Sequence, residues 1–303
     1  MSSSALRSSP RHAPAGPYAE TFVENGYCVV ESLLTAEELD ELKVDLLKLA
    51  RGHYPCESLQ PIPARTDDAS AMERILCIHQ PHFLSPVVRR FTAHPAIAEI
   101  LGEVVGAHFK EGFWDGSVKC MQYMFFAKPP GKPGQAWHQD ELYIPTRDRS
   151  LCGAWIAIDD ATVDNGCLWV IPGSHQSGIL YEQKQHGRGD EFDTTPESYG
   201  FDESAEVPVE VPAGSVVFFN GYLLHRSKKN RSNGYRRALV NHYMSAQSQL
   251  PWLMEEHVPP GMIGICDNRS VHMVHGEDPY SHRGYTEPDN PVWLRQYGSG
   301  DDG

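Results

Sequence analysis

The sequence predicts a mainly β fold with flanking α-helices and a jelly-roll core. Residues 18–104 carry helical patterns, whereas residues 107–244 consist largely of short apolar runs. Turn signals such as Asp164-Asn165-Gly166 separate these runs. Short strands divided by turns are typical of an all-β barrel or jelly roll. We therefore expect the β half to form the core and the helices to form its outer layer.

The N-terminal half begins with two predicted helices. Residues 18–24 form the first, which Gly26 is expected to end, because glycine readily adopts the left-handed conformation after a helix. Thr35 and Glu38 have the spacing of a capping box. Four leucines follow at helical spacing, which predicts an amphipathic helix over residues 36–50 with its leucine face in the core.

Two more helices are predicted before the main run of strands begins. Residues 51–70 are rich in proline and polar residues, which indicates an irregular loop. Proline is favoured at the first position of a helix, and two prolines stand at such positions further along the chain. We therefore expect helices near residues 85–93 and 95–104.

Apolar runs bounded by turn residues predict the strands. Residues 181–206 lack such a run and are expected to form a long polar loop. The predicted strands cover residues 27–30, 120–127, 135–140, 152–158, 167–171, 207–211, 215–220 and 236–244.

We expect a single domain over residues 18–290. Residues 1–17 contain arginine and several serines but no acid, and are expected to form a disordered N-terminal arm. Residues 291–303 end in glycine, serine and aspartate, and are expected to form a flexible tail. No apolar run approaches the length of a transmembrane helix.

Charge and cysteine usage limit the partners and the compartment. The net charge is −14, and phosphate contacts need clustered lysine and arginine, so no nucleic-acid partner is expected. The same charge disfavours docking on anionic membranes, so no membrane partner is expected either. The 7 cysteines are scattered and contain no Cys-x-x-Cys pair, which indicates a reducing, intracellular and cytoplasmic setting. The sequence sets no expectation for the oligomeric state.

One stretch places an imidazole and a carboxylate two residues apart. His138 and Asp140 lie on a predicted strand, where side chains at i and i+2 point to one face. A third ligand is expected from His225, which follows the apolar run at residues 215–219. Two histidines and one carboxylate with open positions suit a non-haem Fe(II) oxygenase. Zinc takes the same ligands, so a zinc hydrolase and a catalytically idle metal- or ligand-binding jelly-roll module are the alternatives.

Four stretches between Trp137 and Ser245 carry a resemblance to a known family. They are WHQDELYIPTRD, GAWIAIDDATVDNGCLWVIPGSH, AGSVVFFNGYLLHRS and GYRRALVNHYMS. Together with the N-terminal FVENGYCVVESLLTAEELDELK, they resemble the phytanoyl-CoA dioxygenase family of Fe(II)/2-oxoglutarate-dependent oxygenases. The resemblance implies a double-stranded β-helix (jelly roll, cupin-like) core with helices packed outside it.

The resemblance also implies an activity. It implies an enzyme that binds Fe(II) through His138, Asp140 and His225, with 2-oxoglutarate and O2 as co-substrates. The implied reaction is hydroxylation of an aliphatic C–H bond in a small organic substrate, with release of succinate and CO2. Related halogenases lack the carboxylate that Asp140 supplies in this chain, which favours hydroxylation.

The distal carboxylate of 2-oxoglutarate needs a cationic clamp, and an arginine fork pairs a carboxylate through two hydrogen bonds. Arg236 and Arg237 point to opposite faces of a predicted strand, and periodicity alone does not decide between them. The family places its arginine eleven residues after the second histidine, here His225, which selects Arg236.

Three other side chains are expected to contact the co-substrate. Ser227 and Trp155 match co-substrate contacts of the family, although core packing explains Trp155 equally well. Gln122 lies on a predicted strand that is expected to line the same pocket. The remaining loops are expected to bind the small-molecule substrate, whose identity the sequence does not specify.

Overall fold

Five α-helices flank the sheets within the part of the chain that the structure, a computed structural model, describes. That part covers residues 16–251 and 269–297. The N-terminal arm expected over residues 1–17 therefore lies, up to residue 15, outside the described residues, and Pro17 already belongs to the first helix. The helices are α1 Pro17–Asn25, α2 Ala36–Ala50, α3 Asp68–Glu73, α4 Pro86–Thr92 and α5 Pro95–Val104.

The predicted caps define the helix ends. Gly26 follows α1 with φ of 82°, a left-handed conformation that glycine adopts at little cost. At the start of α2, Glu38 N donates to Thr35 Oγ1 at 3.2 Å and Thr35 N donates to Glu38 Oε2 at 2.8 Å. This confirms the capping box. The four leucines of α2 are buried in the main core, as their helical spacing predicts.

Most of the strands lie after residue 117 of the described chain. Every strand that the sequence predicts is present, and six further short strands accompany them. The strands are β1 Tyr27–Val30, β2 Ile75–His79, β3 Val118–Lys128, β4 Gln135–His138, β5 Cys152–Ala157, β6 Leu168–Val170, β7 Gln183–Lys184, β8 Glu197–Ser198, β9 Val207–Val209, β10 Val216–Asn220, β11 His225–Ser227, β12 Arg236–Ser245, β13 His272–His275 and β14 Trp293–Gln296.

These strands form two main antiparallel sheets. The larger sheet has the order β1-β10-β5-β12-β3-β2-β14, with β13 paired to one end of β3. The smaller sheet has the order β4-β11-β6-β9, and β7 pairs with β8 in a separate ribbon. Side chains from both main sheets line a common cavity. The predicted jelly-roll core is confirmed.

Two neighbouring strands of the larger sheet form the floor of this cavity. Along β12 and β3 most of the side chains that line the cavity lie an even number of positions apart, because strand side chains alternate between faces. The antiparallel register pairs Arg236 with Lys128 at one end and His242 with Gln122 at the other. The two strands thus carry these side chains to opposite ends of one surface.

The C-terminal segment differs from the flexible tail predicted for residues 291–303. Trp293 to Gln296 form β14, which pairs with β2 along the edge of the larger sheet. The buried side chain of Leu294 packs in the main core. The prediction was wrong here because the short segment is held by pairing with a strand more than two hundred residues earlier, which local composition does not reveal. Residues 298–303 lie outside the described residues.

Residues 68–79 form α3 and β2, which the sequence did not predict. All five residues of β2 are buried, so the strand lacks the alternation that marks a half-buried strand. Its pairing with β3 places Cys77 opposite Phe126 and His79 opposite Met124. A short apolar run of this kind is recognised as a strand only once its neighbours are known.

Two observations concern the described residues taken together. Segments 16–251 and 269–297 contain no helix with the length and hydropathy needed to cross a membrane. The six cysteines in these segments are free thiols, and five of them are buried.

Candidate metal centre

His138 and His225 lie side by side in the smaller sheet. They are paired residues of β4 and β11, and their ring centroids are 4.1 Å apart. Nε2 of each histidine lies 3.6 Å from Oδ1 of Asp140. Strand β4 ends at His138, but Gln139 keeps an extended conformation, so Asp140 still points to the face that its i+2 position predicts. The structure thus brings the three candidate ligands together.

The hydrogen bonds of the two imidazoles orient their free nitrogens. His138 Nδ1 donates to the carbonyl of Ala136 at 2.8 Å, and His225 Nδ1 donates to the carbonyl of Leu223 at 2.9 Å. Because a carbonyl can only accept, a neutral imidazole in this position carries its lone pair on Nε2. Both lone pairs therefore face the carboxylate oxygen of Asp140. A cation between them fits this donor set, and Fe(II) takes two histidines and one carboxylate.

Burial and neighbouring groups hold His138 and Asp140 in the protonation states that bind a metal. Burial, followed by the neighbouring His225, lowers the pKa of His138 to about 3, so this imidazole stays neutral. Burial opposes ionisation of Asp140, but His225 and His242 outweigh it and hold the pKa of the carboxyl below its usual range. A neutral imidazole and an ionised carboxylate are the forms that bind a metal.

A third histidine, His242, completes the surroundings of Asp140. It lies on β12 of the larger sheet and is 2% exposed. Its Nε2 donates to Asp140 Oδ2 at 2.7 Å, since the ionised carboxylate can only accept. The two carboxylate oxygens therefore have different neighbours. Oδ1 faces His138 and His225, while Oδ2 is held by His242.

The candidate ligands line a cavity of about 530 Å³ between the two sheets. All four residues that the sequence assigned to the co-substrate also line it. Its volume lies within the usual range for small-molecule sites, roughly 300–1,000 Å³. The predicted co-substrate residues in its wall are Gln122, Trp155, Ser227 and Arg236.

Arg236 presents a buried guanidinium to the cavity. The residue is 4% exposed, and its guanidinium lies 5.4 Å from the ring centroid of Trp155. Burial lowers its pKa to about 10, which leaves it cationic at neutral pH. Within residues 16–251 and 269–297 it forms no ion pair, and its buried Nε lacks a hydrogen-bond acceptor. Such a group suits an anionic ligand that enters the cavity.

Arg237 has a different role from its neighbour. Its side chain leaves the cavity and pairs with Asp159 through two bonds, from Nε to Oδ2 at 2.8 Å and from Nη2 to Oδ1 at 2.7 Å. This ion pair is half-buried. The cavity therefore receives Arg236, in agreement with the family spacing.

Ser227 lines the cavity together with Arg236 and forms a hydrogen bond with a buried lysine. Its Oγ is hydrogen-bonded to Lys128 Nζ at 2.9 Å and accepts a hydrogen bond from the backbone N–H of Gln135 at 3.2 Å. Lys128 is 3% exposed and donates to the carbonyls of Gly166 at 3.2 Å and Lys228 at 2.7 Å.

Gln122 and Trp155 occupy different parts of the cavity wall. Gln122 is paired with His242 in the sheet register, and its Nε2 lies 3.3 Å from Met124 Sδ. It is therefore placed near the candidate metal ligands. Trp155 lies beside Arg236 and is 3% exposed, so it both packs in the core and borders the guanidinium.

The C-terminal strand supplies one wall of the cavity. Trp293, Arg295 and Tyr297 follow each other at every second position and all line it. The Trp293 ring stacks on His79 with centroids 5.0 Å apart, and the Tyr297 hydroxyl donates to the carbonyl of Ala127 at 2.9 Å. Because the composition of residues 291–303 predicted a flexible tail, the sequence did not indicate these wall residues.

Two other site residues were missed although the sequence contained a signal for them. His242 lies an even number of positions after Arg236, so on one strand both point to the same face. Lys128 has the same relation to Gln122. Strand parity could therefore have placed both residues in the cavity.

Comparison with known proteins identifies relatives of the whole core. The family model of phytanoyl-CoA dioxygenase (PhyH) matches residues 22–238. Phytanoyl-CoA dioxygenase 1 of Oryza sativa subsp. japonica is 32% identical over 187 residues, which are 60% of this chain and 62% of that protein. Phytanoyl-CoA dioxygenase of Arabidopsis thaliana is 33% identical over 169 residues, which are 55% of this chain and 56% of that protein. The matched regions thus span about three fifths of the length of these relatives.

Solved structures share the fold at lower identity. The non-heme monooxygenase ThoJ in its apo form has a TM-score of 0.62 at 19% identity, covering 86% of this chain and 84% of that one. The alpha ketoglutarate dependent carbocyclase SnoK has a TM-score of 0.59 at 20% identity, covering 85% and 95%. The epimerase SnoN, solved in complex with Fe3+, alpha ketoglutarate and nogalamycin RO, has a TM-score of 0.56 at 20% identity, covering 77% and 84%. Because the family model matches well over half of the sequence, this chain belongs to the phytanoyl-CoA dioxygenase family.

Proposed function

We propose that this protein is an Fe(II)- and 2-oxoglutarate-dependent dioxygenase that hydroxylates an aliphatic C–H bond of a small organic substrate. His138, Asp140 and His225 hold the iron, and Arg236 binds the distal carboxylate of 2-oxoglutarate. Succinate and CO2 are the products from the co-substrate. Membership of the phytanoyl-CoA dioxygenase family supports the oxygenase activity.

One observation carries this proposal beyond family membership. The convergent Nε2, Nε2 and Oδ1 atoms share one cavity with the buried guanidinium of Arg236, which forms no ion pair with the residues that the structure describes. A zinc hydrolase needs the three ligands and a water, but it needs no buried cation for a second carboxylate. An idle module that binds only a metal needs no such clamp, and one that binds only an anion needs no facial ligand set. The combination therefore favours the oxygenase over both alternatives.

The protein residues act by positioning. Iron with 2-oxoglutarate and O2 supplies the oxidising chemistry, as cofactors do in general. The backbone carbonyls of Ala136 and Leu223 fix the tautomers of the two ligand histidines. Arg236 and Ser227 hold the carboxylate end of the co-substrate, and Trp155 limits how it lies beside the guanidinium. Gln122 lines the cavity near the metal.

The substrate shares the cavity with 2-oxoglutarate. The volume of about 530 Å³ suits a small organic molecule or one part of a larger one. The C-terminal wall around Trp293 lies outside the matched residues 22–238, so we propose that it helps to select the substrate. We also propose that the chain acts as a single domain in an intracellular, reducing compartment, since its buried cysteines are free thiols.

A screen of compound classes for stimulated succinate release tests the proposal. The iron-loaded protein is incubated with 2-oxoglutarate and O2, and succinate is measured with and without each compound. A substrate raises succinate release and gains one oxygen atom by mass spectrometry, with His225→Ala as the inactive control. Hydrolysis of a test compound without O2 consumption would instead support the zinc hydrolase.

A further inference from the structure

The Lys128 side chain is buried beside the part of the cavity that Arg236 and Ser227 line. Its Nζ is buried and contacts three oxygens, none of which belongs to an acid: Ser227 Oγ, Gly166 O and Lys228 O. Gly166 has φ of 80°, and a Cβ at this position would lie 2.9 Å from Lys128 Nζ and 2.2 Å from Lys228 O. The backbone is therefore shaped to enclose this nitrogen.

The hydrogen bonds of Ser227 can be counted. A serine hydroxyl has one hydrogen to donate and two lone pairs that accept. If Lys128 is an ammonium, its N–H and that of Gln135 fill both accepting positions of Ser227 Oγ. The hydroxyl hydrogen then remains available for a ligand in the cavity that Ser227 and Arg236 both line.

The same atoms allow the opposite arrangement. A neutral amine has two N–H groups and one lone pair. The carbonyls of Gly166 and Lys228 can only accept, so they take both N–H groups. The lone pair of Lys128 then accepts the hydroxyl hydrogen of Ser227, and no donor is left for the cavity. One proton on Lys128 thus decides the direction of the bond.

Burial and the charged groups around Lys128 disfavour protonation of its amine when no anion is bound. Burial, and then the positive charge of Arg236 opposite it on β12, lower the pKa of Lys128 well below its usual range. Asp193 and Glu191, from the segment before β8, and Cys167, before β6, act in the opposite direction but do not outweigh these effects. A carboxylate beside Arg236 would reverse the balance.

We propose that the Lys128–Ser227 hydrogen bond reverses direction when 2-oxoglutarate binds. Lys128 takes up a proton from solvent, and Ser227 turns its hydroxyl hydrogen towards the carboxylate held by Arg236. Lys128 is then a positioning residue that acts through Ser227. This inference rests on the proposed binding of 2-oxoglutarate at Arg236, and it adds a proton to that binding step.

The sign of the pH dependence follows from linkage. Binding raises the pKa of Lys128. At a pH between the pKa of the free protein and that of the complex, Lys128 therefore takes up one proton for each 2-oxoglutarate that binds. In this window the affinity for 2-oxoglutarate falls as pH rises, by up to about tenfold per pH unit. Below the window Lys128 is already charged, and the affinity does not depend on its titration.

Isothermal titration calorimetry tests the proposal directly. The full chain, loaded with redox-inert Zn(II), is titrated with 2-oxoglutarate from pH 7 to pH 9 in buffers of different ionisation enthalpy. We expect proton uptake in the wild type and in Lys229→Met, which removes a charge from the segment after β11 but does not line the cavity. We expect none in Lys128→Met. If 2-oxoglutarate binds to the wild type without proton uptake, or if the uptake persists in Lys128→Met, the proposal is overturned. Absence of 2-oxoglutarate binding in the wild type contradicts the proposed function itself.

Ser227→Ala provides a second test that does not require the lysine variant to fold. A hydrogen bond to a charged group contributes about 1.5–3 kcal/mol, so the substitution should weaken 2-oxoglutarate roughly 10- to 150-fold where Lys128 is charged. At higher pH, where Ser227 donates to Lys128, the dissociation constants of Ser227→Ala and of the wild type for 2-oxoglutarate should differ by no more than about threefold. A ratio of the two dissociation constants that stays the same from pH 7 to pH 9 would show a merely structural role and would contradict the reversal.

Discussion

His242 on the larger sheet holds one oxygen of Asp140, whose other oxygen faces the two histidines of the smaller sheet. The bond from His242 Nε2 to Asp140 Oδ2 is 2.7 Å, and Asp140 Oδ1 lies 3.6 Å from both His138 and His225. The carboxylate is therefore shared between the sheets. With Oδ2 occupied, Asp140 is set to bind a metal through Oδ1 alone, which leaves coordination positions for other ligands.

We predict that His242→Phe weakens metal binding while the fold remains intact. Phenylalanine keeps the ring but removes the donor, so Asp140 loses the bond that orients it. Loss of a hydrogen bond that orients a ligand typically lowers metal affinity by about 10- to 100-fold. Anaerobic titration with Fe(II), or with Co(II) as a coloured substitute, measures the change. His242→Gln should recover part of the affinity, because its amide can donate to the carboxylate.

Unchanged metal affinity in His242→Phe, with a normal melting temperature, would show that Asp140 needs no such support. His272→Phe serves as the control histidine, since it lies on β13 and does not line the cavity. It is expected to leave metal affinity near the wild-type value.

Arg236→Ala should weaken 2-oxoglutarate far more than it weakens iron. Removing one partner of a desolvated charge pair costs about 2–5 kcal/mol. This corresponds to roughly 30- to 3000-fold in affinity. Arg236→Lys should recover only part of the loss, because an ammonium lacks the planar fork of arginine. The 2-oxoglutarate dependence of succinate formation measures both variants.

Arg237→Ala is the matched control on the same strand. Its side chain pairs with Asp159 outside the cavity, so the substitution should cost at most about 1 kcal/mol of stability and leave the co-substrate affinity unchanged. A larger effect of Arg237→Ala than of Arg236→Ala on 2-oxoglutarate would mean that the cavity receives the other arginine.

The C-terminal strand should contribute to stability. Leu294 is 8% exposed and packs in the main core, so Leu294→Ala should lower the free energy of unfolding by about 2–5 kcal/mol, nearer the lower value. Urea unfolding followed by circular dichroism measures this change. Asp289→Ala, at an exposed position five residues earlier, should have little effect. Equal stability of the two variants would restore the interpretation of residues 291–297 as a tail.

The sequence predicted those parts of the fold that depend on local patterns. The capping box at Thr35 and the parity of His138 and Asp140 are local, and both lead to the observed geometry. Strand β2 forms because it pairs with β3, and β14 forms because it pairs with β2, which neither segment shows in isolation. Their absence from the prediction also removed the C-terminal wall from the predicted site.

In the candidate site, too, local patterns predicted some residues, whereas contacts between distant segments supplied others. The spacing of the family motif selected Arg236, and the structure places it in the cavity. The partners of Asp140 and Ser227 come instead from strands that meet these residues only in three dimensions. His242 and Lys128 were therefore outside the predicted set, although strand parity places each of them on the same face as a predicted residue.

The most direct measurement is an anaerobic titration of the protein with Fe(II) in the presence of 2-oxoglutarate, followed by visible absorption. A charge-transfer band forms only when iron and 2-oxoglutarate bind together at one centre. We predict a weak band that saturates at one iron per chain and is lost in His138→Ala and His225→Ala. Absence of the band in the wild type, or its persistence in either variant at full iron occupancy, would contradict the assignment of this centre.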